Sequence, residues 1–376
     1  MKVALVHDYL IRLGGAERVF LNLVKIFPQA KIFTLLYNPS KMGDYFAHSS
    51  IQTSFLQRIP GVVRYHRLLA PFFPAAVESL DLREFDLVIS SSSAFVKGLV
   101  LRPRTIHICY CHNPARFLWD YAGQYNGGGS SLLKKVLFHY LRLWDRAAAQ
   151  RVDYFIANSK ITAQRIKKFY RREAKVIYPP VKMEPNPHLS QRRLSSLNFL
   201  KDYFLIVSQL TPYKRIDLAI DAFNKLELPL IIIGEGRDKK RLVRMARSHI
   251  KFLGWQPDEV VKEYFQNCLA FVFPGEDDFG IAPVEAMSFG KPVLAYRKGG
   301  AKETVLEGIT GEFFDDPIPE SLADGVRRLI ANLKNYSPQV IRKRAEKFSE
   351  ERFEIAIKEF VIEVIEQHKR GLIQYP

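Results

Sequence analysis

Long apolar runs are missing from this chain of 376 residues. Its most apolar stretches, Leu228–Ile233 and Leu269–Phe273, fall far short of the roughly 20 residues that a membrane-spanning helix needs. No leader segment is expected, because Met1-Lys2 runs straight into Val3-Ala4-Leu5-Val6, which reads as a buried strand. Cysteine is scarce. Cys109, Cys111 and Cys268 give no disulfide framework and point to a reducing compartment. Cys109-x-Cys111-His112 looks like half a metal site, but no second Cys/His cluster completes four ligands, so none is expected. RNP, helix-turn-helix and zinc-finger patterns are also absent, which argues against nucleic acid as a partner. Glycine and proline, at 21 each, are too few for a fibrous or low-complexity chain.

What is present suits two globular cores: 47% of the residues are hydrophobic, over a length too great for one ordinary core. The net charge of +17 is lopsided. Residues 1–185 hold 27 Lys and Arg against 12 Asp and Glu, whereas the remaining 191 hold 29 against 27. A basic half suits an anionic partner, such as a membrane surface or a phosphate-bearing ligand. It equally suits a plain soluble face.

The first half alternates short branched apolar runs with helical patterns. Val3–Val6, Lys31–Leu36, Leu87–Ser90, Thr105–Tyr110, Tyr154–Ala157 and Lys175–Tyr178 read as strands covered on both faces. Ala16–Phe27 and Ile161–Tyr170 read as helices between them. A proline-rich break, Tyr178-Pro179-Pro180-Val181 with Pro185 and Pro187, precedes a second set. There Tyr203–Val207, Leu230–Ile233, Lys251–Leu253, Ala270–Phe273 and Val293–Ala295 are strands. Arg215–Leu226, Asp238–Ala246, Asp258–Asn267 and Pro283–Phe289 are helices. Residues 336–370 form one long charged helical stretch. Repeated β-α units predict parallel sheets with helices on both faces. The expected fold class is therefore α/β, with two doubly wound Rossmann-like domains facing across a cleft. The boundaries are 1–185, 186–350 and a C-terminal helix, 351–376, that crosses back to the first domain. In such sheets ligands sit beyond the carboxyl ends of the strands, so the residues just after strands matter most.

Several loops there can carry chemistry. His7-Asp8-Tyr9 ends the first strand, and Gly14-Gly15 opens the following helix, where backbone amides can approach a phosphate. A plain turn explains these glycines about as well. Lys214, in Thr211-Pro212-Tyr213-Lys214-Arg215, stands at a strand–helix junction and can neutralise a diphosphate. Gly234-Glu235-Gly236 and Gly254-Trp255 follow two further strands and can let a ligand reach the backbone. The richest stretch runs from Phe273 to Pro292: an acidic loop with Asp277, then Phe279-Gly280-Ile281-Ala282, then a short helix expected to open at Pro283 and carrying Glu285. An acid in a helix's first turn can simply steady the dipole. That does not account for Asp277, eight residues earlier.

Asp277-x7-Glu285 resembles the Glu-x7-Glu signature of the family-4 retaining glycosyltransferases. The resemblance extends, in order, through Gly14-Gly15-Ala16-Glu17, Cys111-His112-Asn113-Pro114, Ile156-Ala157-Asn158-Ser159, Pro179-Pro180-Val181, Pro212-Tyr213-Lys214-Arg215-Ile216-Asp217, Gly234-Glu235-Gly236, Phe252-Leu253-Gly254-Trp255 and Gly299-Gly300-Ala301-Lys302-Glu303-Thr304-Val305. It implies the GT-B fold, and site roles by position. Gly14 and Gly15 contact the donor diphosphate, His112 reaches the donor sugar, and Lys214 holds the diphosphate. Asp277 faces the transferred sugar, Gly280, Ile281 and Ala282 present amides, Glu285 binds the ribose hydroxyls, and Gly254-Trp255 lie near the base. Two departures stand out. Asp277 replaces a glutamate, with Glu276 beside it, and Gln209 replaces an arginine that would add a positive charge, for which Arg215 is a substitute.

The resemblance also implies a reaction without cofactor. No Asp-x-Asp pair is present to hold a divalent ion, so a metal-free route is expected, with a nucleotide sugar as co-substrate. The motif wording is most like mannosyltransferases of surface polysaccharide assembly. GDP-mannose is the favoured donor, with a UDP-hexose as the alternative, and the expected acceptor is a saccharide linked to polyprenyl diphosphate. The expected location is cytoplasmic, with peripheral placement on the inner face of the cytoplasmic membrane. Two segments suit an anionic surface. Arg58–Pro74 interleaves basic and apolar residues in what reads as a loop. Leu132–Ala148 is amphipathic, with Leu133, Leu137, Tyr140, Trp144 and Ala148 on one face. An apolar face packed on the sheet is the plainer account of that helix. Rival readings are a sugar-nucleotide epimerase or hydrolase and a catalytically weak sugar-nucleotide-binding protein.

Overall fold

Runs such as Val3-Ala4-Leu5-Val6 and Leu230-Ile231-Ile232-Ile233 have no polar face to show to water, so each pairs on both edges and is covered on both sides. A computed structural model describes residues 1–47, 49–120, 132–183, 202–369 and 371. The chain divides into one unit made of residues 1–180 and 351–376 and a second made of residues 181–350.

In the first unit seven parallel strands, β1 (Val3–Leu10), β2 (Lys31–Tyr37), β3 (Ile51–Thr53), β4 (Leu87–Ser92), β5 (Ile106–Cys111), β6 (Tyr154–Ala157) and β7 (Ala174–Val176), run in the order β3-β2-β1-β4-β5-β6-β7. In the second, β8 (Phe204–Val207), β9 (Leu230–Ile233), β10 (Ile250–Gly254), β11 (Ala270–Phe273), β12 (Val293–Tyr296) and β13 (Gly311–Phe314) run in the order β10-β9-β8-β11-β12-β13. Both orders are the doubly wound pattern. The direction of winding reverses between β1 and β4 and again between β8 and β11, and those points mark where each unit can bind a ligand.

The edge strands β3 and β13 escape the sequence reading for physical reasons. β3 has three residues, and β13 opens on Gly311 and buries a charged group, Glu312. That carboxylate is satisfied by Arg328 Nη1 (2.9 Å), Asn332 Nδ2 (3.1 Å) and the Tyr336 hydroxyl (2.7 Å). The expected single helix over 336–370 is two, Pro338–Ala345 and Glu350–Lys369. Phe353, Ile357, Val361 and Val364 of the second bury against Leu5, Ile89 and Ile108 of the first unit's core. Arg58–Pro74 is not an extended loop. Short helical turns at Val62–Tyr65, His66–Phe72 and Phe73–Glu78 accommodate its prolines. The Leu132–Gln150 helix packs Leu137, Leu141 and Trp144 on a core cluster that also receives Val63, Leu69 and Phe73.

Candidate functional site

At the reversal point of the first unit, β1 delivers His7 and Asp8 and β4 delivers Ser90, Ser91 and Ser92. The Asp8 carboxylate accepts four backbone amides from the turn that follows β4: Ser93 (2.6 Å) and Ala94 (2.8 Å) on one oxygen, Phe95 (2.7 Å) and Val96 (2.9 Å) on the other. Four donors on one buried carboxylate fix that turn rigidly. The next residue, Lys97, is fully buried and pairs with Asp145 Oδ1 at 2.5 Å. Asp145 Oδ2 accepts from Trp119 Nε1 (2.8 Å) and the Tyr170 hydroxyl (2.7 Å). Burial opposes the charge on Lys97, but the Asp145 carboxylate overrides it and holds the ammonium's pKa above its ordinary value.

Above this scaffold lie two histidines. Ser91 Oγ stands 3.0 Å from His7 Nδ1 and 2.8 Å from His112 Nε2. His7 stacks on Phe20, with ring centres 4.8 Å apart, and its Nε2 is 3.6 Å from Glu17 Oε1. Burial, with a smaller push from His7, lowers the His112 pKa to about 3, so the ring is neutral at physiological pH. Gly14 precedes the Gly15–Ile26 helix, and a side chain there would meet the Glu17 carboxylate at 2.8 Å.

In the second unit the carboxyl ends of β8 to β12 bring the expected residues to one edge. Lys214 closes a short turn after β8, Asp277 lies on the loop after β11, and Lys214 Nζ donates to Asp277 Oδ2. Both side chains are largely buried, at 15% and 18% exposed. The loops interlock. Gly300 N donates to Asp277 O (2.9 Å), and Leu210 N donates to Glu235 O (2.9 Å). Two glycines expected to admit a ligand admit neighbouring backbone instead. A Cβ on Gly234 would lie 1.9 Å from Ser208 O, and one on Gly236 would lie 2.0 Å from Leu210 O. Gly275 likewise abuts the backbone of Lys214.

The short helix starts at Ile281, two residues before the expected Pro283. Gly280 caps it at φ +85°, a left-handed conformation that favours glycine. The amides of Ile281 and Ala282 have no carbonyl four residues back within the helix, and Pro283 has no amide to offer. Phe279 is buried, while Glu285 is half-buried on the same helix. Gln209 is exposed, and Trp255 is 72% exposed beside Gly254. Arg215, the substitute for the missing arginine, is engaged by Asp217 (3.5 Å) and by the Pro317 carbonyl (3.4 Å).

Residues 13–184 match the family model described as Glycosyltransferase Family 4, and residues 192–348 match that of Glycosyl transferases group 1. The chain is a glycosyltransferase of this family. It is similar to an uncharacterized glycosyltransferase of Methanocaldococcus jannaschii, MJ1178, at 25% identity over 88% of this chain and 89% of that protein. It is similar at 25% identity to the mouse alpha-1,3/1,6-mannosyltransferase ALG2, over 94% of each. The Escherichia coli O-antigen chain mannosyltransferase C is 29% identical over 44% of this chain and 47% of that protein. Among solved structures, Anabaena Alr3699/HepE in complex with UDP and glucose aligns with a TM-score of 0.71 at 19% identity, covering 96% of this chain and all of that one. The shared fold is GT-B.

In this glycosyltransferase the contacts of His112 bring in Ser91 and His7, and Asp8 and Lys97 hold the turn after β4 beneath them; of these, Ser91 and Lys97 were not singled out from the sequence. The Ser90-Ser91-Ser92 run at a strand end was the available signal, since a hydroxyl run inside a buried strand needs partners. Among the described residues no three His, Cys, Asp or Glu side chains gather as a metal-ligand set.

Proposed function

We propose that this glycosyltransferase moves a hexose, foremost mannose from GDP-mannose, to a saccharide acceptor linked to polyprenyl diphosphate, with retention at the anomeric carbon and without a metal. The single observation that carries the reading is the pairing of Lys214 with Asp277 at the β8–β11 reversal point. One group of that pair suits a leaving diphosphate, and the other suits an oxocarbenium-like sugar. Negative charge grows on the β-phosphate as the bond to the sugar breaks. Lys214 and the amides at the head of the Ile281–Ser288 helix supply positive potential for it. Asp277 stabilises the developing cation on the sugar, and Glu285 accepts the ribose hydroxyls. Gly14 and Gly15 offer close backbone approach beside Glu17, and His112, neutral and buried, offers a ring nitrogen to a sugar hydroxyl. The mannosyltransferase names among the similar proteins support mannose as the sugar.

A thermal-shift screen of GDP-mannose, UDP-glucose, UDP-galactose and ADP-glucose tests the donor. A ligand at 100 times its Kd adds about 2.7 kcal/mol of stability. GDP-mannose is expected to give the largest rise; a larger rise with a UDP sugar replaces it as donor. Transfer is expected to proceed in EDTA, and strict dependence on Mg²⁺ or Mn²⁺ refutes the metal-free route.

A further inference from the structure

The first unit holds a line of four side chains: Glu17, His7, Ser91 and His112. Glu17 Oε1 is 3.6 Å from His7 Nε2, Ser91 Oγ is 3.0 Å from His7 Nδ1, and the same oxygen is 2.8 Å from His112 Nε2. We propose that Glu17, acting through His7 and Ser91, fixes His112 in the tautomer that carries its proton on Nε2 and leaves Nδ1 as a hydrogen-bond acceptor. The proposal rests on the reading of His112 as the group that meets a sugar hydroxyl, and gives Glu17 and Ser91 the part of positioning residues.

The argument is one of hydrogen-bond direction. A neutral imidazole has one N–H and one bare nitrogen, and a serine hydroxyl donates once and accepts elsewhere. With the Ser91 proton donated to one of the two rings, two orders satisfy both contacts of Ser91, and the case in which Ser91 accepts from both rings shares the second order's bare His7 Nε2. In one, His7 carries its proton on Nε2, Ser91 donates to His7 Nδ1, and His112 Nε2–H donates to Ser91. In the other every proton moves to the opposite side, and His7 turns a bare Nε2 toward Glu17. That second order sets a lone pair against a carboxylate 3.6 Å away, so the charge on Glu17 selects the first.

The surroundings leave Glu17 as the deciding group. The Asp8 carboxylate, next to His7 in sequence, is taken up by the four amides of residues 93–96. Phe20 stacks on His7, and the Tyr110 ring lies 5.2 Å from that of His112. The Thr162 hydroxyl bonds to the His112 carbonyl, not to its ring. His7 and His112 meet edge to face, with ring centres 6.4 Å apart. The absence of a side chain at Gly14 leaves room for the Glu17 carboxylate to fold back toward His7.

The test is histidine ¹⁵N NMR on the whole chain, labelled at its histidines, with His112 assigned by His112→Gln. The expected wild-type spectrum shows His112 protonated on Nε2 with Nδ1 unprotonated. Glu17→Gln is expected to give mixed tautomers at His112, and Ser91→Ala to abolish any effect of Glu17→Gln there. An Nδ1–H tautomer in the wild type, or an unchanged His112 signal in Glu17→Gln, overturns the proposal. A helix-end role for Glu17 would change thermal stability but not the tautomer, so the two are separated. Glu17 lies on a helix rather than in the sheet, so that variant carries the test where Ser91→Ala does not fold. In transfer assays Glu17→Gln is expected to lower kcat about tenfold, with the donor KM changed less than about twofold. The NMR result needs no substrate. A tautomer shift with unchanged kcat leaves the proton order standing and removes His112 from the sugar.

Discussion

Lys214 and Asp277 form an ion pair at the point where the strand order of the second unit reverses. Each supplies the charge that makes the other's partial burial tolerable, and the proposed function gives each a separate task once a donor is bound.

The pairing predicts non-additive kinetics. Lys214→Ala is expected to lower kcat/KM by at least about tenfold, or 1.4 kcal/mol. Asp277→Ala is expected to do comparable harm. The double variant should be less impaired than the sum of the two, with an interaction energy in the range of about 0.5–3 kcal/mol. Strict additivity in steady-state assays refutes a working pair.

Glu285 stands on the helix that begins at Ile281, where an acid could serve only the dipole. It lies at the fifth helical residue, beyond the first turn, which weakens that simpler account. Glu285→Ala is expected to weaken donor binding by about 1.5–3 kcal/mol, the scale of a lost charged hydrogen bond. Titration calorimetry checks this, and unchanged affinity in a folded variant removes Glu285 from the ribose.

How far the sequence reaches is clear from these residues. Unbroken apolar runs made the central strands legible, and the order of the short motifs pointed to the loops on which Lys214 and Asp277 meet. The sequence does not say what approaches a glycine; on the side where Gly234 and Gly236 would carry a Cβ it is the carbonyls of Ser208 and Leu210. The contacts of Ser91 with His7 and of Asp8 with the turn after β4 span 84 or more residues, so the sequence does not name those partners. β13 was hidden by Glu312, whose partners arrive from residues 328, 332 and 336.

The Lys97–Asp145 pair is buried at 1% exposure on each side. Breaking such a pair leaves an uncompensated charge, so Lys97→Met is expected to lower unfolding free energy by about 3–5 kcal/mol. Replacing both, as Lys97→Met with Asp145→Leu, should recover much of the loss. Denaturant unfolding of the wild type and the two variants decides it; an innocuous Lys97→Met contradicts the role of this network.

Acid sensitivity follows from two buried histidines. Burial lowers His107 to about 3, with Arg151 adding to the effect, and His112 lies at about 3 for the reason given above. Both are neutral when folded and protonate near pH 6.5 when unfolded. Between pH 6.5 and 3 the unfolded chain binds more protons, so stability falls as pH falls and is level above 6.5. Each group contributes a slope of up to about 1.4 kcal/mol per pH unit. His107→Gln is expected to flatten the profile by one group's share, and a profile that is steepest above pH 7 contradicts the assignment.

The basic first unit is expected to hold an anionic membrane surface, and the structure shows where apolar side chains are left over. On the Leu132–Gln150 helix Leu137, Leu141 and Trp144 are packed, yet Leu133 (79% exposed), Val136, Tyr140 and Leu143 form a second apolar stripe facing outward. At about 100° per residue these four fall within one narrow arc. Val63, Leu69 and Phe73 pack on the same core cluster, while their neighbours Tyr65, Leu68 and Phe72 are exposed among Arg58, Arg64 and Arg67. Each basic residue near an anionic leaflet contributes about 1 kcal/mol, so several together with a partly inserted apolar stripe suffice for peripheral binding. Among the described residues no helix is long and apolar enough to cross a membrane. Co-sedimentation should show binding to vesicles containing anionic lipid above that to neutral vesicles, fading as salt rises. Arg64→Glu with Arg67→Glu should reduce it by weakening attraction, and Leu133→Ser with Val136→Ser should reduce it without changing its salt dependence. Binding unaffected by both pairs of substitutions assigns the surface elsewhere, and no binding to any vesicle returns the acceptor to solution.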